Sequence, residues 1–330
     1  MKLCNPAVPP AKLGFLTIET TTWCNLACTG CSRTVGMAAG AWANIHMPAS
    51  HFARIMPNLP PAQQASLHGV GEPTLNPDIV DIIELARRSG RFDEILLVSN
   101  GQNKNLGIYR RMMEAGLDRL HISVDSLVPD IAEQCRKGTR LGLLRDTLAA
   151  LHEMGLPITV NIVASRFNQQ DISETLIALN GFGPAEVLVQ QYIDLGNPDG
   201  CLDDDQRDHL RAALTALQPA LPNLRVNLHG MMGGTLEDIC SSPWTSLSVT
   251  VEGFLTPCCV NFDPEVLRHA DLAQRPFNEI WKAAAMQDFL HDYLLAAPAF
   301  CAGCHMNGRP VPADAPPPER RGFARSSARR

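Results

Sequence analysis

The sequence lacks the features that would place the chain in a membrane or on nucleic acid. No window of about twenty apolar residues occurs in its 330 residues, so we expect no transmembrane helix. No apolar run of signal-peptide length precedes Pro9 and Pro10. The net charge of -6 and the pI near 5.9 provide no basic surface for a phosphate backbone. These absences predict a soluble, cytoplasmic protein with no nucleic acid and no membrane as a partner.

Internal repeats of solenoid type are also missing, whereas cysteine is plentiful. The hydrophobic content of 45% is enough for one large core with a smaller one appended to it. The chain has eleven cysteines, an odd number, and most of them are tightly clustered. This pattern fits metal ligation in a reducing compartment better than it fits disulfide bonds.

The densest cluster is Cys24, Cys28 and Cys31, spaced C-x3-C-x2-C. Iron-sulfur clusters are normally held by four cysteine thiolates. Three thiolates can therefore hold three irons of a cubane cluster and leave the fourth iron open to an outside ligand. A structural zinc site or free thiols are the alternatives, although zinc sites more usually show two separated C-x2-C knuckles.

Strand and helix patterns alternate over about two hundred residues after the N-terminus. Six strands are predicted, at residues 15–19, 65–69, 94–99, 119–124, 158–163 and 186–192. Helices are predicted at residues 49–56, 78–88, 106–115, 141–154, 172–179 and 204–217, and the Gly- and Ala-rich residues 32–47 are predicted as loop. The alternation predicts a parallel sheet with right-handed crossovers, either an open barrel or a flat doubly wound sheet. In a barrel, the cysteine loop would lie at the rim where the βα loops converge.

The composition changes near Gly230, and a second set of cysteines follows. Residues 231–234 read as a linker, residues 246–255 as a hairpin turning at residues 252–253, and residues 276–291 as a helix. Four cysteines lie in this region with spacings that would saturate one further metal site, either an auxiliary cluster or a zinc ribbon: Cys240, Cys258, Cys301 and Cys304. We predict a lead-in at 1–14, a barrel at 15–230, a second domain at 231–307 and a disordered, Pro- and Arg-rich tail at 308–330.

Five stretches of the sequence resemble those of the radical SAM superfamily. They are CNLACTGCSR at the first cysteines, HGVGEPTL at residues 68–75, and PCCVNFD, PFNEIWKAAAMQDF and FCAGC in the C-terminal part. The resemblance spans residues 15–307 and includes a twitch domain, which is a shortened SPASM domain with one auxiliary cluster. It implies an α/β fold, a partial (β/α)6 TIM-like barrel with a small C-terminal auxiliary-cluster domain.

The resemblance also implies the cofactors and the class of reaction. S-adenosylmethionine binds the open iron of one 4Fe-4S cluster and is cleaved to a 5'-deoxyadenosyl radical, which takes hydrogen from a C-H bond. A second 4Fe-4S cluster is auxiliary, and a flavodoxin- or ferredoxin-type protein donates electrons. Cys24, Cys28 and Cys31 would bind the first cluster and the four C-terminal cysteines the second.

The same resemblance assigns residues to the binding of S-adenosylmethionine. The loop with Gly69, Gly71 and Glu72 would receive the methionine ammonium. Further polar residues at strand ends would contact the carboxylate and ribose, with Ser123 as the best ribose candidate; they are Ser99, Asn100, Ser123, Asp125, Asn161 and Arg166. Ordinary turn formation is the alternative for several of them. The residue before the third cysteine is commonly aromatic or bulky and packs near the adenine, but here it is Gly30, so adenine contacts must come from elsewhere.

Candidate catalytic residues follow the sixth predicted strand and the second cysteine set. Gln190, Gln191, Tyr192 and Asp194 are predicted to face the substrate, with Tyr192 or Asp194 as a base. Cys259, next to a predicted ligand, could return a hydrogen atom to a substrate radical, replace its neighbour as a ligand, or be a small packed side chain. His68 and His121 are predicted as packed core or rim histidines, and Cys4, Cys135 and Cys201 as unligated.

Three functions remain open at this point. Fourteen lead-in residues are too few for a leader-binding domain, which favours a small polyhydroxylated or amino-sugar substrate that is dehydrogenated or epimerised. The alternative is a maturase that epimerises or crosslinks a ribosomally made precursor peptide. A non-catalytic iron-sulfur or zinc scaffold is the third possibility.

Overall fold

The computed structural model of the chain describes residues 8–194, 197–231, 240–259, 261–301 and 304. Its strands are β1 Leu13–Ile18, β2 Ala27–Cys28, β3 Ala62–Ser66, β4 Phe92–Ser99, β5 Arg119–Ser123, β6 Arg136–Lys137, β7 Ile158–Ala164, β8 Glu186–Gln191, β9 Arg225–Asn227, β10 Ser246–Val249 and β11 Leu255–Thr256. Its α-helices are α1 Ser32–Ala38, α2 Ala49–Ile55, α3 Ile79–Arg88, α4 Gly107–Glu114, α5 Pro129–Cys135, α6 Leu141–Glu153, α7 Ile172–Asn180, α8 Asp204–Leu217, α9 Ser242–Thr245, α10 Phe277–Lys282 and α11 Ala284–Leu295.

Nine of these strands form one sheet in the order β11-β10-β1-β3-β4-β5-β7-β8-β9. All neighbours are parallel except β10 and β11. The six predicted strands correspond to β1, β3, β4, β5, β7 and β8, and helices lie between successive members. The predicted α/β fold, a partial TIM-like barrel, is confirmed, and β9 adds a further parallel strand.

The helices cover the sheet because their apolar residues fall on one side. In α3, Ile79, Ile82, Ile83 and Ala86 recur at helical spacing and are all buried. Burying each large aliphatic side chain of this kind stabilises the fold by about 2 kcal/mol. These packed faces hold the carboxyl ends of the strands, and the loops that follow them, at one end of the sheet.

Two sequence predictions about helices are wrong. Residues 32–38, predicted as loop, form α1, where Gly36 lets the helix approach Trp42, since a Cβ there would lie 2.9 Å from the indole. The single helix predicted over 276–291 is two helices, because Ala283 is extended, with ψ of 148°. The side chain of Gln287 donates to the carbonyl of Trp281 at 2.7 Å and so satisfies a carbonyl at the break.

The C-terminal hairpin is present, and it extends the barrel sheet. Gly253 has a φ of +93° in the turn between β10 and β11, a conformation that favours glycine. β10 pairs in parallel with β1, so strands on both sides of the predicted boundary at residue 230 share one sheet. Residues 232–234 of the predicted linker, the tail at 308–330 and Cys4 lie outside the described residues. Within the described part of the chain, no helix combines the length and apolarity needed to span a membrane.

Candidate active site

A cavity of about 350 Å³ opens at the carboxyl ends of the parallel strands. It brings together many residues that were predicted from separate parts of the sequence. Among its lining residues are Cys24, Cys28, Cys31, Gly69, Gly71, Glu72, Ser99, Asn100, Ser123, Asp125 and Tyr192. Eleven of the predicted site residues therefore share one space.

The cysteine loop is fixed by backbone contacts on two sides. On one side β2 pairs with β6, so that Cys28 lies opposite Arg136, and the amide of Thr29 donates to the carbonyl of Cys135 at 3.0 Å. On the other side the amide of Glu72 donates to the carbonyl of Trp23 at 2.7 Å. The polypeptide thus sets the path of this loop through contacts that do not use sulfur.

The glycines after β3 are required by the close approach of this neighbouring loop. A Cβ at Gly71 would lie 2.3 Å from the carbonyl oxygen of Thr21, and one at Gly69 would lie 2.4 Å from Cγ of Glu19. A side chain at Gly71 would force the neighbouring backbone to move, and one at Gly69 would displace the side chain of the buried Glu19. Both glycines also line the cavity, so their backbone is available to a ligand.

Glu72 is buried, and its carboxylate oxygens accept four hydrogen bonds from the protein. Oε1 accepts from the amide and hydroxyl of Thr74, at 3.1 and 2.7 Å, and from the hydroxyl of Ser99 at 2.9 Å. Oε2 accepts from the amide of Asn100 at 2.7 Å. Burial raises the pKa of this carboxyl, and the hydrogen bonds act in the opposite direction. In this structure Glu72 joins the loops after β3 and β4; its predicted contact with the methionine ammonium stays a prediction.

Asn100 links the end of β4 to the cysteine loop. Its side-chain amide donates to Oδ1 of Asn25 at 2.8 Å and lies 3.8 Å from the sulfur of Cys24. A hydrogen bond to a thiolate sulfur stabilises its charged form and tunes a bound cluster. The turn-forming role is present as well, because Oδ1 of Asn100 accepts from the amide of Gln102.

Arg136 is a site residue that the sequence analysis missed. Its Nε lies 2.7 Å from Oδ2 of Asp125, and the side chains of both residues are largely buried at the cavity wall. Oδ1 of Asp125 also accepts from the amide of Val163 at 2.9 Å. No local motif marks Arg136, because it is brought to the site by the pairing of two strands of only two residues each.

The three thiols and the cations around them fit an iron-sulfur cluster. Burial raises the pKa of Cys28 to about 12 and raises that of Cys24, while Arg136 lowers the former and Arg33 the latter. A thiol binds iron as thiolate, and the positive charge of the irons would add to that of these guanidiniums. In the described residues no three His, Cys, Asp or Glu side chains converge on one metal ion. A cubane cluster does not need such convergence, since each iron takes one thiolate.

Tyr192 stands over Gly30 at the far side of the cavity. A Cβ built at Gly30 would have the Tyr192 hydroxyl, 1.6 Å away, and two ring carbons as its nearest atoms. The hydroxyl donates to the carbonyl of Asn197 at 3.0 Å. Burial, with nearby negative groups, raises the pKa of Tyr192 to about 12, so the phenol stays protonated at neutral pH.

Three of the residues predicted at the barrel rim do not line this cavity. Asn161 lies on β7, with its side chain next to His121 of β5. Arg166 is about half exposed and 3.6 Å from Asp203. Asp194 follows Tyr192 but is absent from the lining. Their assigned roles remain predictions.

His68 belongs to the cavity wall, whereas His121 lies deeper in the sheet. The ring of His68 bonds through Nδ1 to the hydroxyl of Ser66. Burial, with His121 nearby, lowers the pKa of His68 to about 4, so its imidazole is neutral at physiological pH. His121 is buried on β5 next to Asn161, and burial lowers the pKa of its imidazole.

The C-terminal cysteines gather beyond the end of β11. Cys259 is exposed and hydrogen-bonded to Cys258; this bond raises the pKa of Cys259, and the nearby Cys240 and Cys304 act in the same direction. The backbone amide of Cys304 donates to the carbonyl of Cys301 at 3.2 Å. Cys259 is absent from the cavity lining and accompanies the predicted auxiliary ligands. Cys135, to which the sequence analysis gave no role, is buried at the cavity wall.

Comparison with known families agrees with this geometry. The family model of the radical SAM superfamily matches residues 18–179, and that of an iron-sulfur cluster-binding domain, SPASM, matches residues 240–305. Together the two models match more than half of the chain.

The chain belongs to the radical SAM superfamily.

It is therefore a radical SAM enzyme, and the recognition made from its motifs is confirmed. The cofactors of such an enzyme are S-adenosylmethionine and a 4Fe-4S cluster, and the SPASM match adds auxiliary iron-sulfur binding. The individual cysteines and polar residues that hold them remain predictions, as does the number of auxiliary clusters.

Curated relatives match both domains. A protein named PqqA peptide cyclase from Xanthomonas axonopodis pv. citri is 26% identical over 83% of this chain and 75% of its own length. One of the same name from Streptomyces rochei is 27% identical over 86% of this chain and 78% of its own. At this coverage the similarity extends into both matched regions of the chain.

Solved structures show the same fold. Streptococcus suis SuiB bound to S-adenosylmethionine has a TM-score of 0.70 at 16% identity, covering 90% of this chain and 72% of SuiB. The anSMEcpe structure with bound AdoMet has a TM-score of 0.66 at 14% identity, covering 83% of this chain and 82% of that one. Both confirm the barrel with its C-terminal extension.

Proposed function

We propose that this radical SAM enzyme is a maturase of a ribosomally made peptide and introduces a crosslink into a precursor peptide. The observation that carries the proposal is the similarity to PqqA peptide cyclases across both matched domains. It replaces our preference for a small polyhydroxylated or amino-sugar substrate. The fold relationship to SuiB, which has also been solved bound to its precursor peptide SuiA, is consistent with the change.

The cofactor site is proposed at the rim of the barrel. Cys24, Cys28 and Cys31 would hold the cluster, and the polar residues of the cavity would hold S-adenosylmethionine. When bound, these groups supply one-electron chemistry that takes a hydrogen atom from a C-H bond. Cys240, Cys258, Cys301 and Cys304 would hold one auxiliary cluster, with the domain boundary at residues 230–231. A flavodoxin- or ferredoxin-type electron donor also remains a proposal.

The chain's own residues hold the loops around that site and set the charges along its wall. Glu72 fixes the loops after β3 and β4 through four hydrogen bonds. Arg136 with Asp125 places a buried cation beside Cys28. Burial keeps the imidazole of His68 neutral at the cavity wall, and the phenol of Tyr192, held by Asn197, stays protonated.

The wall formed by the end of β8 suits a peptide backbone. Gln190 and Gln191 line the cavity, and each primary amide offers both donors and acceptors. Phe167 and Ile193 provide apolar surface beside them. Peptide groups carry the complementary donor and acceptor, so this neutral wall can bind backbone without requiring a charged substrate.

Anaerobic turnover with peptide and sugar substrates tests the proposal. The reconstituted enzyme is incubated with S-adenosylmethionine, a chemical reductant and either PqqA, short peptides encoded beside its gene, or a panel of aminocyclitols. We expect 5'-deoxyadenosine and a peptide lighter by a pair of hydrogen atoms. A variant with Cys24, Cys28 and Cys31 changed to alanine serves as the control. Turnover of aminocyclitols with no change in any peptide would overturn the peptide assignment.

A further inference from the structure

The contact between Tyr192 and Gly30 joins two parts of the barrel that no strand pairing connects. Gly30 belongs to the loop after β1, directly before Cys31, and Tyr192 follows β8. In the sheet, β3, β4, β5 and β7 separate these two strands. The cysteine loop therefore reaches across the mouth of the barrel, and its far end rests on a side chain from the opposite wall.

The Tyr192 ring is enclosed between two glycines. At the hydroxyl end of the ring, a Cβ at Gly30 would lie 1.6 Å from the hydroxyl oxygen, and a Cβ at Gly200 would lie 2.7 to 2.9 Å from three of the ring carbons. The hydroxyl is tied to the carbonyl of Asn197 at 3.0 Å, and the backbone amide of Tyr192 donates to Ala164 at 3.0 Å. The ring, the hydroxyl and the backbone of Tyr192 each have a contact that restrains them. The side chain therefore has a defined position in the cavity wall.

Both members of the contact also line the cavity. Gly30, Cys31 and Tyr192 are neighbours in its lining. Gly30 has a φ of +77°, a conformation open to glycine and costly for other residues. The loop thus turns sharply at Gly30, and the space that a side chain at this position would fill is taken by the aromatic ring.

We propose that Tyr192 is a positioning residue that holds the Gly30–Cys31 end of the cysteine loop and forms the aromatic wall of the S-adenosylmethionine cavity. It replaces the base role that we had considered for Tyr192. The proposal rests on the cofactor site of a radical SAM enzyme and is independent of whether the substrate is a peptide, so the two can fail separately.

A double-mutant cycle between the two positions tests the contact. The variants are Tyr192→Ala, Gly30→Ala and the two combined, with Tyr192→Phe as the conservative change. Gly40→Ala is the matched control, because Gly40 has a similar φ of +67° but nothing within 4 Å of a Cβ. Each variant is reconstituted, and iron, sulfide, the affinity for S-adenosylmethionine by equilibrium dialysis and the EPR response of the reduced cluster to S-adenosylmethionine are measured.

We expect Tyr192→Ala to weaken S-adenosylmethionine binding about ten-fold, the loss typical of removing one aromatic contact. Gly30→Ala should do the same, because its methyl group displaces the ring. In the combined variant the affinity for S-adenosylmethionine should also fall about ten-fold and no further. Either change alone already removes the contact, so the second change has nothing more to remove. Tyr192→Phe should keep the EPR response, and Gly40→Ala should match the unaltered enzyme.

Two results would overturn the proposal. One is multiplication of the two losses to about a hundred-fold in the combined variant, which would show independent roles. The other is unaltered affinity and EPR response in Tyr192→Ala. If a variant assembles less iron, the iron content of the two single variants and of the combined variant is compared in the same way. A loss of iron that multiplies in the combined variant would again show independent roles, and a loss no larger than that of either single change would support the contact.

Discussion

The two cysteine groups of this enzyme are held by different kinds of contact. The loop with Cys24, Cys28 and Cys31 is fixed by β2–β6 pairing, by the amide of Glu72 and by the ring of Tyr192. None of these contacts involves sulfur. The polypeptide therefore shapes the first loop.

The C-terminal group draws on three separate segments of the chain. Cys240, Cys258, Cys301 and Cys304 lie around α9, β11 and the end of α11, and Cys240 and Cys304 are close enough to Cys259, the neighbour of Cys258, to raise its pKa. Tyr293 adds a hydrogen bond from its hydroxyl to the carbonyl of Cys240 at 3.1 Å. We therefore expect the first loop to keep its path without a bound metal, and metal ligation to complete the second group.

Changing Cys28 to alanine is expected to have the largest effect. It removes one of three thiolates, and we expect turnover to be lost together with about four of about eight irons per chain. Iron and sulfide analysis and the yield of 5'-deoxyadenosine measure it. Cys135→Ala is the control, because this buried cysteine lines the same cavity and is predicted to be unligated. Full iron and turnover in Cys28→Ala would remove the first loop from the mechanism.

Changing Cys258 to alanine should affect the C-terminal cysteine group and leave the first cysteine loop intact. We expect loss of the other group of about four irons, while the first cluster keeps its EPR response to S-adenosylmethionine. Hydrogen exchange should rise in residues 240–259 and stay low in β3, β4 and β5, because the barrel does not rely on this group. Equal loss of protection in the barrel strands would contradict the distinction between the two groups.

Changing Arg136 to methionine tests how much of the first loop's support is electrostatic. The substitution leaves the carboxylate of Asp125 buried without its partner, and we expect the free energy of unfolding to fall by about 3 kcal/mol. Anaerobic urea denaturation measures the loss, and a second change, Asp125→Leu, should recover part of it. A loss below about 1 kcal/mol would mean that the ion pair contributes little to holding the loop.

The free energy of unfolding should depend on pH through His68, which lies in the barrel. The pKa of His68 is about 4 in the folded state against 6.5 unfolded, so between these values the unfolded chain binds more protons. Stability present above pH 6.5 is lost as the pH falls, by about 2 kcal/mol between pH 7 and pH 5. Urea midpoints at the two pH values measure this loss. His68→Gln should flatten the profile, and an unchanged slope would assign it to other groups.

Changing Cys259 to alanine is expected to have the smallest effect. Cys259 lies beside Cys258 and outside the cavity lining, so iron content and turnover should both stay close to those of the unaltered enzyme. Retained turnover would dismiss the hydrogen-donor role. If turnover falls while iron is retained, the donor role gains support, and if iron falls, Cys259 is a ligand.

The sequence predicted the elements whose signal is local. The buried run of β1 followed by three cysteines, and the glycine loop after β3, could be placed at one rim because parallel strands end there. Arg136 and the contact of Tyr192 with Gly30 were not predictable, because each depends on a partner distant in the chain, and α1 was missed because its Gly- and Ala-rich stretch is also typical of a loop. The break at Ala283 was missed for a similar reason, since helix propensity favours continuation and the packing of the buried Trp281 lies outside a local pattern.

Glu19 carries a consequence for dissecting the molecule. One carboxylate oxygen accepts from the amide of Val70, in the glycine loop, and the other from the amide of Val251, beyond β10. A truncation at residue 230 would strip β1 of its neighbour along one edge and leave a fully buried carboxylate with half of this bridge missing. The cysteine loop follows that same strand. The barrel without the C-terminal part would therefore expose an unpaired, aggregation-prone strand edge next to its cofactor site.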